Sequence, residues 1–178
     1  MQDALTNLAP KYYYAVMDGY KKRNISAMVP KITNFTNLLA DLDYILGTNK
    51  DFLLGTWIDR AKGVAAGNKT EEDLYEYNAR NQITLWGSRG QIIDYANKQW
   101  SGLITDYYLP RWSMFFDYLV QDVAGGKPFN QVKFTADFML KIGHPFCHDF
   151  SKTYPMNTKD DTISVAKLLH KKWRGEMV

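Results

Sequence analysis

A chain of 178 residues with 46% hydrophobic and 23% charged residues is long enough to bury one full core, and its composition excludes a disordered or fibrous protein. The net charge of +3 is the small difference between 22 basic and 19 acidic residues scattered along the chain, without the dense Lys/Arg stripe of a nucleic-acid surface, so nucleic acid is not an expected partner. Cys147 is the only cysteine, which rules out an intrachain disulfide, a redox pair and a zinc-type cysteine cluster.

The first twenty residues, MQDALTNLAPKYYYAVMDGY, lack the basic start and apolar centre of a signal peptide and read as if cut from inside a longer chain. No later run reaches the length of a membrane span. Over residues 24–47, Met28, Ile32, Phe35, Leu38, Leu39, Leu42, Ile45 and Leu46 recur at spacings of three and four, the stripe of an amphipathic helix. Gly47 is placed as its left-handed stop. Phe52, Leu53, Trp57 and Ala61 continue the spacing in a second helix, closed by Gly67-Asn68 and predicted to pack antiparallel on the first. Thr70 then reads as an N-cap, with Glu71, Glu72 and Asp73 in the first turn, where carboxylates meet the exposed amides and the helix dipole. That helix is predicted to run to about Leu85.

After Gly87 and Gly90, Ile93, Ala96, Asn97, Trp100 and Leu103 suggest a helix that continues toward Tyr107 and Tyr108, where Pro110 forces a kink or a new start. Phe115, Phe116, Leu119 and Val123 define the next helix, ended by Gly125-Gly126. Asn130 is the candidate cap of another, which carries Phe134, Phe138, Met139 and Ile142, crosses a candidate break at Pro145 and ends near Tyr154-Pro155. A last helix follows Asp160 or Asp161. No alternating β-branched run stands between hairpin turns, so the predicted fold class is all-α: a single-domain bundle of about six or seven helices with no sheet.

Most candidate chemistry has a plainer explanation. Glu72 and Glu76 share a helix face, but a solvated acidic helix start accounts for them. His144 and His148 have the spacing of two metal ligands, yet Pro145 lies inside the turn and no acidic residue completes the motif, so no metal site is assigned. Cys147 reads as a small buried hydrophobe rather than a nucleophile. Asn24, Asn34 and Asn68 stand in N-x-[ST] sequons, which matter only in a secreted eukaryotic setting. No phosphate loop or nucleophile elbow is present, and no cofactor is expected.

Residues 85–100, LWGSRGQIIDYANKQW, resist such treatment. Trp86 precedes a Gly-x-x-Gly loop, from which its indole can project beside a gap between helix ends. A flat aromatic face binds the apolar face of a sugar ring, and a phenol such as Tyr95 can hydrogen-bond a hydroxyl. Equally, Trp86 can plug the end of the bundle while Asn97 and Gln99 cap loops. The residues alone leave both readings open.

The strings DLDYILGTNKDFLLGTWIDRAK, YNARNQITLWG, IIDYANKQWSGL and DYYLPRW together resemble, in this order, the C-terminal helical region of the α-N-acetylglucosaminidases, glycoside hydrolase family 89. The similarity is best over residues 38–118 and looser toward both ends. It implies that residues 1–178 are the helical domain of a retaining exo-glycosidase that removes terminal α-linked N-acetylglucosamine. Such enzymes are lysosomal in animals, and the resemblance implies a periplasmic or extracellular setting in bacteria. Retention needs two carboxyls about 5 Å apart across the scissile bond. The resemblance places both glutamates on a preceding (β/α)8 barrel, so no catalytic residue is assigned here and the chain alone is expected to be inactive. The barrel of the same parent chain is the implied partner, and a bare contact surface gives the isolated chain a route to self-association.

Carried over by motif, Trp86, Ile92 and Tyr95 are the implied substrate-binding residues: a ring beside the sugar, an apolar surface toward the acetamido methyl, and a hydroxyl for a polar group. Arg80 and Arg111 read as structural, paired with carboxylates or helix ends. The chain departs from the family pattern at Ser88, where proline is common, and at Gln91, where asparagine is common. The competing reading is a stand-alone carbohydrate-binding or protein-interaction module.

Overall fold

In the computed structural model, which describes residues 1–177, the sequence opens with two long helices, α1 (Gln2–Lys21) and α2 (Ile25–Leu46), that pack along each other. The periodicity of α1 was open to view, since Leu5, Leu8, Tyr12, Val16 and Gly19 are buried at helical spacing. Asn24 caps α2 by accepting the Ala27 N–H at 3.0 Å. Gly47 does not stop α2 in the left-handed region: its φ is −63°, and a side chain there would come within 3.0 Å of Ser101 Oγ. Glycine here leaves room for the close approach of Ser101 rather than serving a left-handed turn.

The second predicted helix splits. Lys50–Phe52 form a 3-10 turn capped by Asn49, Leu53 is extended and pairs with Ser101, and α3 (Leu54–Gly63) begins only after it. Its principal partner is α4 (Lys69–Gln82), not α2, because the intervening turn and the Ser101 segment hold it away. The cap of α4 is Asn68, two residues before Thr70, and its Oδ1 accepts the Thr70 and Glu71 amides at 3.1 and 3.3 Å. The helix stops at Gln82 rather than near Leu85.

Residues 83–102 form turns and extended backbone, and the helix expected from Ile93 starts only at Leu103. The cause is local. Trp86, Gly87, Gly90, Asp94 and Gly102 all take positive φ, which no right-handed helix accommodates. Asp43 of α2 marks the restart, accepting Gly102 N–H at 2.8 Å, Thr105 N–H at 3.2 Å and Ser101 Oγ–H at 3.0 Å. Burial nonetheless holds its carboxyl above the usual carboxylate range.

Neither Pro110 nor Pro145 breaks its helix. A π turn at Ile104–Tyr108 leads into α5 (Leu109–Ala124), and another at Met139–Gly143 joins α6 (Gln131–Phe138) to α7 (His144–His148). In each case proline stands two residues after the wide turn, where the altered hydrogen-bond register relieves the missing donor and the ring clash. The rod from Gln131 thus passes Pro145, but it ends at His148 rather than near Pro155. Residues 149–161 then run as a strap across α3, with the Tyr154 and Pro155 carbonyls where a side chain on Gly55 would stand. Helix α8 (Thr162–Trp173) follows its cap, Asp161. With each rod counted once through its π turn, the described residues hold seven α-helical bodies and no sheet.

One core joins α1, α2, α5 and α8; a second joins α3, α4, α6 and α7, with Tyr108, Phe115 and Phe129 against both. The expected solvated helix start at Glu72–Glu76 is corrected here. Glu76 is buried in the second core, where it pairs with fully buried Arg80. The arginine's partner proves to be a carboxylate on its own helix, one turn back.

Where α5 meets α6, the Tyr118 hydroxyl and the Lys133 ammonium, 2.8 Å away, both donate to Asp137. The Lys133 hydrogen bond, followed by that of Tyr118, brings the Asp137 carboxyl from 3.8 down to about 2. A depressed folded value means that the contribution of this group to stability is complete above about pH 4 and fades between there and about 2. Carbon-13 titration of Asp137 is expected to show a midpoint near 2, returning toward the ordinary carboxylate range in Lys133→Met.

Candidate functional site

The loop that follows α4 is built from its end outward. Asn81, in the last turn, grips the backbone after Trp86 with both ends of its amide: Oδ1 accepts Gly87 N–H at 2.7 Å and Nδ2 donates to the Gly87 carbonyl at 3.2 Å. Its own carbonyl accepts the Trp86 N–H at 2.8 Å. Gly87 has φ 137°, and Gln91 Oε1 occupies the place of any Cβ there while accepting the Arg89 N–H at 3.1 Å. The longer residue at Gln91 therefore folds back over Gly87 and closes the Gly-x-x-Gly turn.

At the far end, the Asp94 N–H donates to the Thr84 carbonyl at 2.7 Å, which folds the loop back onto the end of α4. The Asp94 carboxylate pairs with Arg111 in the first turn of α5, and the Arg111 guanidinium stands 4.7 Å from the centre of the Phe138 ring. Tyr107 OH also reaches Asp94, at 3.5 Å. Gln99, proposed as a loop cap, instead ties the chain to α1 by accepting Gln2 Nε2–H at 3.0 Å.

This framework brings Trp86 and Tyr95 together. Their rings lie 5.0 Å apart at 51°, with the indole half-buried and the phenol 69% exposed. Ile92 lies in the same loop at 49% exposure, its carbonyl accepting the Tyr95 N–H at 3.1 Å. All three residues are thus on one loop, two as a ring pair and the third as an exposed aliphatic side chain. The residues that brace them, Asn81, Thr84 and Asp94, carry no sequence signal beyond polarity, and Arg111 pairs with a carboxylate as anticipated. Two clefts adjoin the later part of the loop, through Asp94 and residues 97–99, and none of Trp86, Ile92 and Tyr95 lines either. One, of about 410 Å³, has largely apolar walls from α1, α2 and α5, among them Leu5, Tyr13, Leu38 and Trp112. The other, of about 430 Å³, is lined by Asp94, Asn97, Tyr108 and Arg111.

Elsewhere the arrangements are structural. His148 Nδ1 is 2.8 Å from the His144 carbonyl and its ring packs near Tyr77, while no group of three metal-ligating side chains forms among the described residues. Cys147 is fully buried beside Thr84, and burial pushes its thiol up. A thiol so placed is an inert core group.

Fold and loop together define an all-α domain with a braced pair of aromatic rings on the loop that follows α4. Residues 1–172 match the family described as the α-N-acetylglucosaminidase (NAGLU) C-terminal domain, and the chain belongs to that family. It is 36% identical to human α-N-acetylglucosaminidase over 173 residues, 97% of this chain and 23% of that protein. Among solved structures, a family 89 glycoside hydrolase from Clostridium perfringens, in complex with 2-acetamido-1,2-dideoxynojirmycin, superposes with a TM-score of 0.80 at 28% identity over 96% of this chain and 20% of that one. The same organism's enzyme with two glutamates replaced by glutamine, in complex with its substrate GlcNAc-alpha-1,4-galactose, gives 0.79 at 27% identity over 99% of this chain and 21% of that one. The chain therefore spans a fifth to a quarter of the length of these relatives.

Proposed function

We propose that this chain is the helical domain of an exo-α-N-acetylglucosaminidase, packed on a (β/α)8 barrel that carries both catalytic carboxylates of a retaining mechanism. In this reading Trp86, Ile92 and Tyr95 form one wall of a pocket for a single terminal α-linked N-acetylglucosamine. The observation that carries it is the pairing of half-buried Trp86 with exposed Tyr95 on a loop braced at both ends. A sugar offers an apolar ring face and a rim of hydroxyls, and a tilted indole and phenol present an apolar surface with one hydroxyl at its edge. The apolar cleft of about 410 Å³ beside the loop supports contact with a larger domain, since a contiguous apolar surface is what an interface covers. In this reading the part of the three side chains is to bind and orient the sugar, with proton transfer left to the carboxyls of the barrel.

The test is kinetic, in the full-length enzyme. Trp86→Ala is expected to lower kcat/KM for an α-N-acetylglucosaminide by about 10- to 100-fold, and Tyr95→Phe by roughly 10-fold, the size of one lost contact to the transition state. The urea midpoint should stay close to that of the parent. Unchanged kinetics in both variants would remove the wall from the pocket, and turnover by the 178-residue chain alone would move the catalytic groups into it.

A further inference from the structure

The loop holds two non-glycine residues in the left-handed region, Trp86 at φ 50° and Asp94 at φ 63°. Such conformations persist only where the surroundings over-determine them, and they concentrate at functional sites. Asn81 fixes the first, as described. Asp94 needs a separate device, because it directly precedes Tyr95 and its backbone angles set the direction in which that ring leaves the loop.

The Asp94 device reaches across the fold. Its N–H is held by Thr84 at the end of α4, and its carboxylate by Arg111 at the start of α5. Arg111 is itself steadied on Phe138 of α6. Among the described residues, Asp94 is the one acceptor that hydrogen-bonds the Arg111 guanidinium. Both side chains are 27% exposed, so breaking the pair strands neither charge in the core. A pair of this kind adds little to global stability yet fixes local geometry.

We infer that Asp94 and Arg111 are positioning residues: their ion pair, with the Asp94–Thr84 hydrogen bond, holds residue 94 in the left-handed region and so sets the Tyr95 ring against Trp86. The ring geometry stands on its own; only its consequence for catalysis rests on the pocket-wall reading. Asp94→Asn isolates the charge, because asparagine tolerates the left-handed region as aspartate does. Arg111→Gln removes the partner, and Arg111→Lys keeps a cation within reach.

The measurement is the set of NMR cross-peaks between the Trp86 and Tyr95 rings in the 178-residue chain, read beside the urea midpoint, with KM and kcat taken in the full-length enzyme. The expected result is loss of the cross-peaks in Asp94→Asn and Arg111→Gln at a nearly unchanged midpoint, with partial recovery in Arg111→Lys. In the enzyme KM should rise roughly fivefold or more, with a smaller change in kcat. Cross-peaks intact in Asp94→Asn would overturn the inference. So would their loss only together with a collapse of the midpoint in all three variants, which is the mark of a general structural role. Lost cross-peaks with wild-type kinetics would leave the positioning pair standing and defeat the pocket wall instead.

Discussion

Arg80→Met is expected to cost about 3–5 kcal/mol of folding stability, read as a large fall in the urea midpoint, because it strands a carboxylate in the second core. Arg80 and Glu76 have side chains only 1% and 2% exposed. The guanidinium donates to Glu76 Oε1 from Nε at 2.9 Å and again from Nη2. It also donates to the carbonyls of Phe146 and Lys152, both at 3.0 Å, and lies between the rings of Phe146 and Tyr154. One side chain thus joins α4, α7 and the strap. After the substitution Glu76 keeps only Lys62, whose ammonium lies 3.0 Å from Oε2 without hydrogen-bond alignment and is part-exposed. Glu76→Gln should cost less, since Arg80 retains its two carbonyl partners. Glu76→Leu combined with Arg80→Met removes both charges and should recover much of the loss. A double variant as unstable as the sum of its parts would show that the pair is not the source of the effect.

Phe116→Ala is expected to lose about 3–5 kcal/mol in the other core, as large buried aromatics do when a cavity replaces them. Phe116 is fully buried on α5, edge-on to Phe35 of α2 at 5.1 Å and stacked on Trp112 at 5.6 Å. Its removal opens the contact between α2 and α5 and leaves Trp112 with a vacant face. The checks are urea unfolding and a red shift of Trp112 emission. Against a typical domain stability of about 5–15 kcal/mol, either substitution takes a large share. A loss under about 1 kcal/mol at Phe116 would mean that the aromatic cluster closes over the gap.

The exposed loop responds differently from these cores. In the proposed reading Trp86, Ile92 and Tyr95 act by contact with the sugar more than by burial, so their substitution is to be read in kinetics before the urea midpoint. Legibility followed the same division. The wall residues came from a motif resemblance, and composition alone left them even between plug and site. The braces Asn81, Thr84 and Asp94 left no mark, because each acts through a backbone group or a partner remote in sequence.

The sequence by itself determined the helical class, the stripe of α2 and the cap at Asn130, and narrowed the last cap to Asp160 or Asp161, because helix period and capping depend on residues within one or two turns. It also placed Cys147 inside. Tertiary structure alone decided what depends on distant partners. Glu76 looked like a solvated acid until it paired in the core with Arg80, which the Phe146 and Lys152 carbonyls hold in place. The apolar spacing from Ile93 to Leu103 looked helical, but Asp94 is drawn into the left-handed region by Thr84 and Arg111, and Ser101-Gly102 are held by Asp43. Periodicity records which side chains prefer burial, whereas the path of the backbone between helices is set by hydrogen bonds and ion pairs that exist only once the helices have packed.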